Sequence, residues 1–250
     1  MKVSLITTCY NSASTIEDCL ESVNIQDYSE IEHIIVDGDS TDSTIDIIKS
    51  IPNRVSKIIS EPDNGIYDAM NKGIKEANGE IIGILNSDDL YHTNNVISKV
   101  VKAFRKNSID VVFGDLHYVK KINLDKVVRY YSSAKFHPSK FRFGFMPAHP
   151  TFFTKKEHYE NLGLYKTNYE IAADFELLLR FLKVYNLEYK YLPINMIKMR
   201  MGGRSTSSLK SNYILNKEMV RACKENDMYT NIGIISLKYF VKVFELFKRG

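Results

Sequence analysis

The sequence predicts an α/β fold, in which helices flank a mostly parallel central sheet and a helical tail follows. Short apolar runs alternate with segments of helical periodicity five times over about the first 115 residues, as expected of βαβ units. Polar, acidic segments follow four of these runs, and the carboxyl ends of parallel strands meet at one edge of a sheet. With 44% hydrophobic residues among 250, the chain can bury the core of one large domain.

Five apolar runs are predicted as strands of this sheet. Each is short and bounded by polar or turn-forming residues, which is typical of buried strands. The predicted strands are 2–7, 33–36, 57–60, 81–85 and 110–113.

Segments of helical periodicity connect the strands. Ser14 and Glu17 have the spacing of a capping box, ahead of apolar residues spaced i, i+3, i+4 and i+7: Ile16, Cys19, Leu20 and Val23. Further helices are predicted around 45–48 and at 66–77, 96–104 and 169–185, and the tail 212–250 is predicted to be helical with a break near 230–233. The alternating, basic stretch 118–131 is typical of an antiparallel ribbon, and 136–154 is aromatic and loop-rich.

Two adjacent carboxylates, Asp88 and Asp89, follow the fourth strand in the stretch EIIGILNSDDLY. Such carboxylates repel each other unless a cation or hydrogen bonds hold them. Mg²⁺ or Mn²⁺ between a carboxylate and ligand phosphates would remove this repulsion. The alternative is a solvated turn in which the pair caps a following helix. This stretch alone leaves both interpretations open.

Composition and missing motifs argue against several classes of protein. The net charge of +4 is mild and no basic cluster accompanies it, so nucleic-acid binding is not expected. No GxGxxG follows the first strand and no GxxxxGK[ST] occurs, which disfavours dinucleotide-dependent oxidoreductases and P-loop enzymes. Three cysteines without metal-ligand spacing favour the cytoplasm, and no apolar run has the length of a transmembrane helix.

Six segments, in this order, resemble the family 2 glycosyltransferases, which have the Rossmann-like GT-A fold. They are TTCYN (7–11), VDGDSTDST (36–44), PDNGIYDAMNKGI (62–74), LNSDD (85–89), AHPTFF (148–153) and ADFELLLRF (173–181). The subgroup most similar to the sequence builds bacterial surface polysaccharides such as capsule or lipopolysaccharide. The resemblance implies a GT-A domain over 1–205, with a nucleotide-sugar-binding half (1–115) and an acceptor half (116–205), before the helical tail (206–250).

The resemblance implies a nucleotide-binding set. At the exit of the first strand, a tyrosine ring can stack on a base while hydroxyl and amide groups donate or accept hydrogen bonds; ordinary turn residues are the alternative. Many relatives carry two adjacent aspartates before GSTD, the second reading the uracil. Here the order is Asp37–Gly38–Asp39, so Asp37 is preferred and Asp39 is the second choice. The full set is Thr8, Tyr10, Asn11, Asp37, Asp39, Gly65 and Asp88.

The resemblance also implies the residues that perform the chemistry. Asp89 matches the carboxylate that binds Mg²⁺ or Mn²⁺, which neutralises a diphosphate leaving group. Asp174 matches the catalytic base, since direct inverting transfer requires a group that takes the proton of the acceptor hydroxyl. The alternative for Asp174 is a carboxylate placed at a helix start by the macrodipole.

Two interpretations remain open for each of three further features: His149, Arg204 and the tail. His149 either contacts the acceptor or diphosphate or is a structural, hydrogen-bonded histidine. Arg204 either closes over the phosphates or is solvated on its loop. The tail segment 232–249, with Leu237 on its apolar face and lysines beside it, either lies on an anionic membrane or packs against the domain or a second subunit.

The predicted function is inverting, metal-dependent transfer of a sugar from a nucleotide diphosphate sugar, in the first instance a UDP-sugar. The acceptor is a hydroxyl of a glycan or of a lipid-linked molecule in polysaccharide biosynthesis. The alternative is a non-catalytic nucleotide-sugar or glycan-binding subunit, against which the presence of both Asp89 and Asp174 argues. The expected location is the cytoplasm; if the tail lies on a membrane, the contact is a peripheral one with the inner face.

Overall fold

The computed structural model describes residues 1–106, 108–202 and 209–247. Within these residues the chain forms nine strands: β1 (Val3–Cys9), β2 (Ile31–Asp37), β3 (Val55–Ser60), β4 (Ile81–Ile84), β5 (Asp89–Tyr91), β6 (Val111–Val119), β7 (Val127–Tyr131), β8 (Phe153–Lys155) and β9 (Tyr189–Arg200). The helices of the described residues are α1 (Ile16–Asn24), α2 (Thr44–Ser50), α3 (Ile66–Glu76), α4 (Val96–Phe104), α5 (Lys156–Leu162), α6 (Ala173–Leu179), α7 (Leu209–Glu225) and α8 (Ile232–Phe247).

One mixed sheet runs through the chain in the order β3-β2-β1-β4-β8-β6-β9-β5, and β7 pairs with β6. The pairs β3–β2, β2–β1 and β1–β4 are parallel, as are β6 and β9. The ribbon predicted at 118–131 is the antiparallel pair β6–β7. The predicted α/β class is therefore confirmed.

Three strands and two helix boundaries differ from the prediction. The three-residue strands β5 and β8 and the long strand β9 were not predicted; β8 inserts antiparallel between β4 and β6. α1 begins at Ile16 with Thr15 as its N-cap, so Ser14 is one residue too early for the expected capping box. The helix predicted at 169–185 begins at Ala173 and ends in a π-helical turn over 180–184.

Apolar side chains cover both faces of the sheet. Adjacent residues of β1 point to opposite faces, as the pleat requires: Leu5 packs in a cluster with Val100 of α4, and Ile6 packs in a cluster with Met70 of α3. Burial on both faces is the condition under which parallel strands are stable. It leaves the edge formed by the carboxyl ends of β1, β2 and β4 for polar residues.

The tail packs against the domain over the residues whose side chains are described. Met219 and Cys223 of α7 and Ile235 of α8 belong to the same apolar cluster as Ile6. Leu237, expected on the apolar face, is 48% exposed, whereas Lys238 is buried, with its Nζ atom 3.0 Å from the sulfur of Met219. The packing alternative is thus supported up to residue 239, and the side chains of 240–250 lie outside the described residues.

Across residues 1–106, 108–202 and 209–247, no helix combines the length and hydrophobicity needed to cross a membrane.

Candidate active site

A cavity of about 980 Å³ lies where β1, β2 and β4 end, and it extends to the start of α6 and the end of β9. Eight of the predicted site residues line it: Thr8, Tyr10, Asn11, Asp39, Gly65, Asp88, His149 and Asp174. Asp37 and Asp89 are not among the lining residues. Arg204 lies outside the described residues.

The exit of β1 presents one side chain freely to the cavity. Tyr10 is 61% exposed. Asn11 adopts a left-handed backbone conformation with φ 49°, and its Oδ1 accepts hydrogen bonds from the backbone N–H groups of Thr41 at 2.9 Å and Asp42 at 3.3 Å. Asn11 therefore joins two loops of the cavity wall, whereas Tyr10 is available for contact with a ligand.

The two aspartates at the end of β2 differ in their surroundings. Asp37 is fully buried, and its carboxylate accepts hydrogen bonds from the backbone N–H of Ser40 at 3.0 Å and from the hydroxyl groups of Ser40 and Ser60. Asp37 thus holds the loop after β2. Asp39 is exposed, has φ 66° and lines the cavity.

The turn before α3 adds a carboxylate that the sequence analysis did not single out. Gly65, with φ 107°, takes a conformation that favours glycine, and its N–H donates to Oδ1 of Asp63 at 2.8 Å. A Cβ atom on Gly38 would lie 2.6 Å from Oδ2 of Asp63 and 3.5 Å from the ring of Tyr10. Glycine at 38 therefore lets the carboxylate of Asp63 lie against the backbone at the end of β2.

The two adjacent carboxylates after β4 differ in their surroundings. Asp89 begins β5, is fully buried, and neither of its oxygens finds a hydrogen-bond partner among the described residues. Burial, and secondarily the charge of Asp88, raises the pKa of Asp89 well above its usual range. Asp88 lines the cavity, whereas Asp89, which the resemblance matches to the metal-binding carboxylate, is buried next to it in sequence.

Arg200, which the sequence analysis missed, secures the position of Asp88. Its Nη1 donates to the backbone carbonyl of Asp88 at 2.7 Å, and its Nη2 pairs with the carboxylate of Asp18. Arg200 is 4% exposed and comes from the end of β9. Because β9 was not predicted as a strand, nothing in the sequence brought Arg200 to this edge.

Asp174 lies in the first turn of α6 and is 9% exposed. Its Oδ1 accepts from the N–H of Phe175 at 2.7 Å, and its Oδ2 lies 3.2 Å from Nδ1 of His149. Burial raises the pKa of Asp174, and the interaction with His149 opposes that rise. One carboxylate oxygen thus serves the helix start, as the alternative interpretation expected, while the other pairs with a histidine at the cavity.

Among the charged residues that line the cavity, acidic side chains outnumber basic ones. Lys121, from the connection between β6 and β7, and Arg200 supply its lysine and arginine charges among the described residues, against five carboxylates: Asp39, Asp63, Asp88, Glu170 and Asp174. A diphosphate would be repelled here unless a cation accompanied it. No group of three or more His, Cys, Asp and Glu in the described part of the chain could hold a metal ion alone. A cation here would therefore need oxygens from the phosphates and water to complete its coordination.

Comparison with known proteins agrees with these observations. The sequence model of the family described as Glycosyl transferase family 2 matches residues 4–163. A PGL/p-HBAD biosynthesis glycosyltransferase of Mycobacterium bovis is 27% identical over 236 residues, which cover 92% of this chain and 86% of that protein. An uncharacterized glycosyltransferase of Mycobacterium tuberculosis is 32% identical over 182 residues, 71% of this chain and 68% of its own.

Solved structures share the fold. S. aureus TarS 1-349 in complex with UDP-GlcNAc superimposes with a TM-score of 0.70 at 18% identity, over 92% of this chain and 68% of that one. The mannosyltransferase PcManGT from Pyrobaculum calidifontis, in complex with GDP-Man and Mn²⁺, gives 0.66 at 20% identity, over 90% and 63%. The match to a longer structure of S. aureus TarS covers 92% of this chain but only 41% of the TarS chain. The fold is GT-A, and the chain belongs to the family 2 glycosyltransferases.

Proposed function

We propose that the protein transfers a sugar from a nucleotide diphosphate sugar, with UDP as the nucleotide, to a hydroxyl group of a glycan or lipid-linked acceptor, with inversion at the anomeric carbon. One observation carries the proposal. A single cavity is lined by the exposed ring of Tyr10, the carboxylate of Asp88 and the pair formed by buried Asp174 and half-buried His149. The ring of Tyr10 suits stacking on the nucleotide base, and Asp88 suits a metal ion bound to the diphosphate. Asp174 suits the role of proton acceptor.

The donor lies along the ends of β1, β2 and β4. The ring of Tyr10 stacks on the base. Asp39 forms hydrogen bonds with the base, because Asp37 is buried and its carboxylate is already bonded to Ser40 and Ser60. Asp88 holds Mg²⁺ or Mn²⁺, the assignment that its position in the cavity favours over Asp89. When bound, the cation would neutralise the negative charge that develops on the diphosphate as it leaves. Lys121 provides a further positive charge for the phosphates.

Asp174 acts as the base. The acceptor oxygen attacks the anomeric carbon, the bond from that carbon to the diphosphate oxygen breaks, and the hydroxyl proton passes to the carboxylate. Attack from the side opposite the leaving group inverts the configuration. His149 orients the carboxylate through its contact with Oδ2. The raised pKa of Asp174 brings its proton affinity closer to that of a base that works near neutral pH.

The wider assignments follow from the same proposal. Residues 1–115 bind the donor, and residues 116–205 contribute His149 and Asp174 beside the acceptor and Lys121 beside the donor phosphates. We place the reaction in the cytoplasm, in the biosynthesis of a surface polysaccharide, where a lipid-linked acceptor would bring the protein to the inner face of the membrane.

Asp174→Asn separates catalysis from binding. We expect donor turnover, measured as nucleotide released from UDP-glucose or UDP-GlcNAc with Mn²⁺, to fall by about 10²–10⁴-fold, the usual contribution of general base catalysis. UDP affinity should stay within about twofold of wild type, a difference well under the 1.4 kcal/mol of a tenfold change. Asp46→Asn is the matched control, because Asp46 is an exposed carboxylate in the first turn of α2.

Two outcomes would contradict the proposal. Unchanged turnover in Asp174→Asn would remove Asp174 as the base. Wild-type protein that binds UDP with Mn²⁺ but releases no sugar from any donor or acceptor mixture would favour the non-catalytic binding subunit.

A further inference from the structure

A carboxylate from the tail reaches the backbone that leads into α6. Glu218 lies on α7, and its Oε1 accepts a hydrogen bond from the N–H of Glu170 at 2.7 Å. Its Oε2 accepts from the N–H groups of Ile171 and Ala172, each at 2.9 Å. Three consecutive backbone amides thus converge on one side chain that is remote in sequence.

The segment held by Glu218 forms part of the cavity wall. Glu170 and Ile171 both line the cavity, and Ala172 is the N-cap of α6. From the other side, the hydroxyl of Tyr67 on α3 donates to the carbonyl of Ile171. The segment is therefore clamped between α3 and α7, two residues before Asp174.

Charge-assisted hydrogen bonds to a carboxylate are stronger than neutral ones, and three of them restrict the backbone in position and orientation. Ala172 is the N-cap of α6 and Asp174 lies in its first turn, so a shift of residues 170–172 would move Asp174 with them. Misplacement of a reacting group by about 1 Å can cost about 10²-fold in rate.

We infer that Glu218 is a positioning residue for the transfer reaction: it holds the backbone of 170–172 and thereby places the carboxylate of Asp174 at the acceptor side of the cavity. The inference rests on the proposed role of Asp174 as the base. It makes helix α7 part of the catalytic unit, although the sequence analysis ended the domain at residue 205.

Glu225, on the same helix seven residues later, provides a matched comparison. Its carboxylate accepts from Nζ of Lys166 at 2.8 Å and from the hydroxyl of Tyr169 at 2.9 Å. Residues i and i+7 lie on the same helix face, so both glutamates attach α7 to neighbouring parts of the chain. Only the contacts of Glu218, of the two, are with backbone that lines the cavity.

The test compares Glu218→Gln and Glu225→Gln in the full chain, at a temperature at which circular dichroism shows each variant folded. We expect Glu218→Gln, which keeps one acceptor oxygen but loses the charge, to lower kcat about 10-fold or more. The Kd for UDP with Mn²⁺ should remain within about twofold of wild type, since the variant leaves the nucleotide contacts untouched. Glu218→Ala should lower kcat further. Glu225→Gln should lower the melting temperature while kcat stays at the wild-type value.

The possible results separate the two proposals. If Asp174→Asn loses turnover while Glu218→Gln and Glu225→Gln have equal kcat, the positioning role is overturned and the base survives. If Asp174→Asn retains turnover, the proposed function itself fails. Should Glu218→Ala not fold, the kcat of Glu218→Gln decides, because a merely structural contact would change stability and leave kcat per folded molecule unaltered.

Discussion

Removing the ring of Tyr10 tests the nucleotide-binding wall of the cavity. The ring is 61% exposed and lies beside Gly38, so Tyr10→Ala should change the free energy of unfolding by no more than about 0.5 kcal/mol. Stacking of a base on an aromatic ring contributes about 1–3 kcal/mol. At 1.4 kcal/mol per factor of ten, the Kd for UDP should rise about 5- to 150-fold.

Isothermal titration calorimetry with UDP and Mn²⁺ measures this change, with melting temperatures recorded alongside. Tyr10→Phe keeps the ring and should bind within about threefold of wild type, because stacking needs only the aromatic face. Tyr213→Ala removes a tyrosine that is 62% exposed on α7 and should leave binding unchanged. Wild-type affinity in Tyr10→Ala would refute the stacking role.

Three further predictions concern protonation and buried charge. Burial lowers the pKa of His33 from 6.5 to about 4, so the unfolded chain binds the proton first. Wild type should therefore lose about 3 kcal/mol of stability as the pH falls from 6.5 to 4, and urea titrations of His33→Gln should show a shallower loss. Arg180→Met removes one of the two cations paired with buried Glu176, the other being Lys166, and also removes the donors to three backbone carbonyls. Calorimetry should show a cost of about 3 kcal/mol, against at most about 1 kcal/mol for Arg221→Met. Finally, His149→Gln removes the interaction that lowers the pKa of Asp174, so the acid limb of the kcat/KM profile should move to higher pH; an unmoved limb would exclude this coupling.

Most of the parallel part of the fold could be predicted, because β1 to β4 and the helices between them are set by local patterns. Apolar runs and helical periodicity depend on neighbours in sequence. The short strands β5 and β8 have three residues each, too few for any period to show. β9 contains Pro193 and is specified by its long parallel pairing with β6, a contact that no local pattern encodes.

For the site residues too, the local sequence predicted part of the arrangement, and contacts between distant parts of the chain determined the rest. Their general position followed from motifs, yet within each aspartate pair the motif did not identify the side chain that faces the cavity. Asp88 lies in the turn before β5 and lines the cavity, whereas Asp89 is the first residue of β5 and is fully buried. Asp37 is drawn inward by Ser40 and Ser60. Long-range partners such as Arg200 and Glu218 could not be found without the fold.

The central claim, that the cavity binds a nucleotide diphosphate through a cation at Asp88, is tested most directly by titrating UDP into the protein with and without Mn²⁺. The account predicts Mn²⁺-dependent binding by wild type, loss of that dependence in Asp88→Asn, and its retention in Asp89→Asn. Asp89→Asn is the matched control because it makes the same change at the adjacent carboxyl, which is fully buried and does not line the cavity. Retention in Asp88→Asn with loss in Asp89→Asn would return the metal to Asp89, and no UDP binding by wild type under either condition would contradict the claim itself.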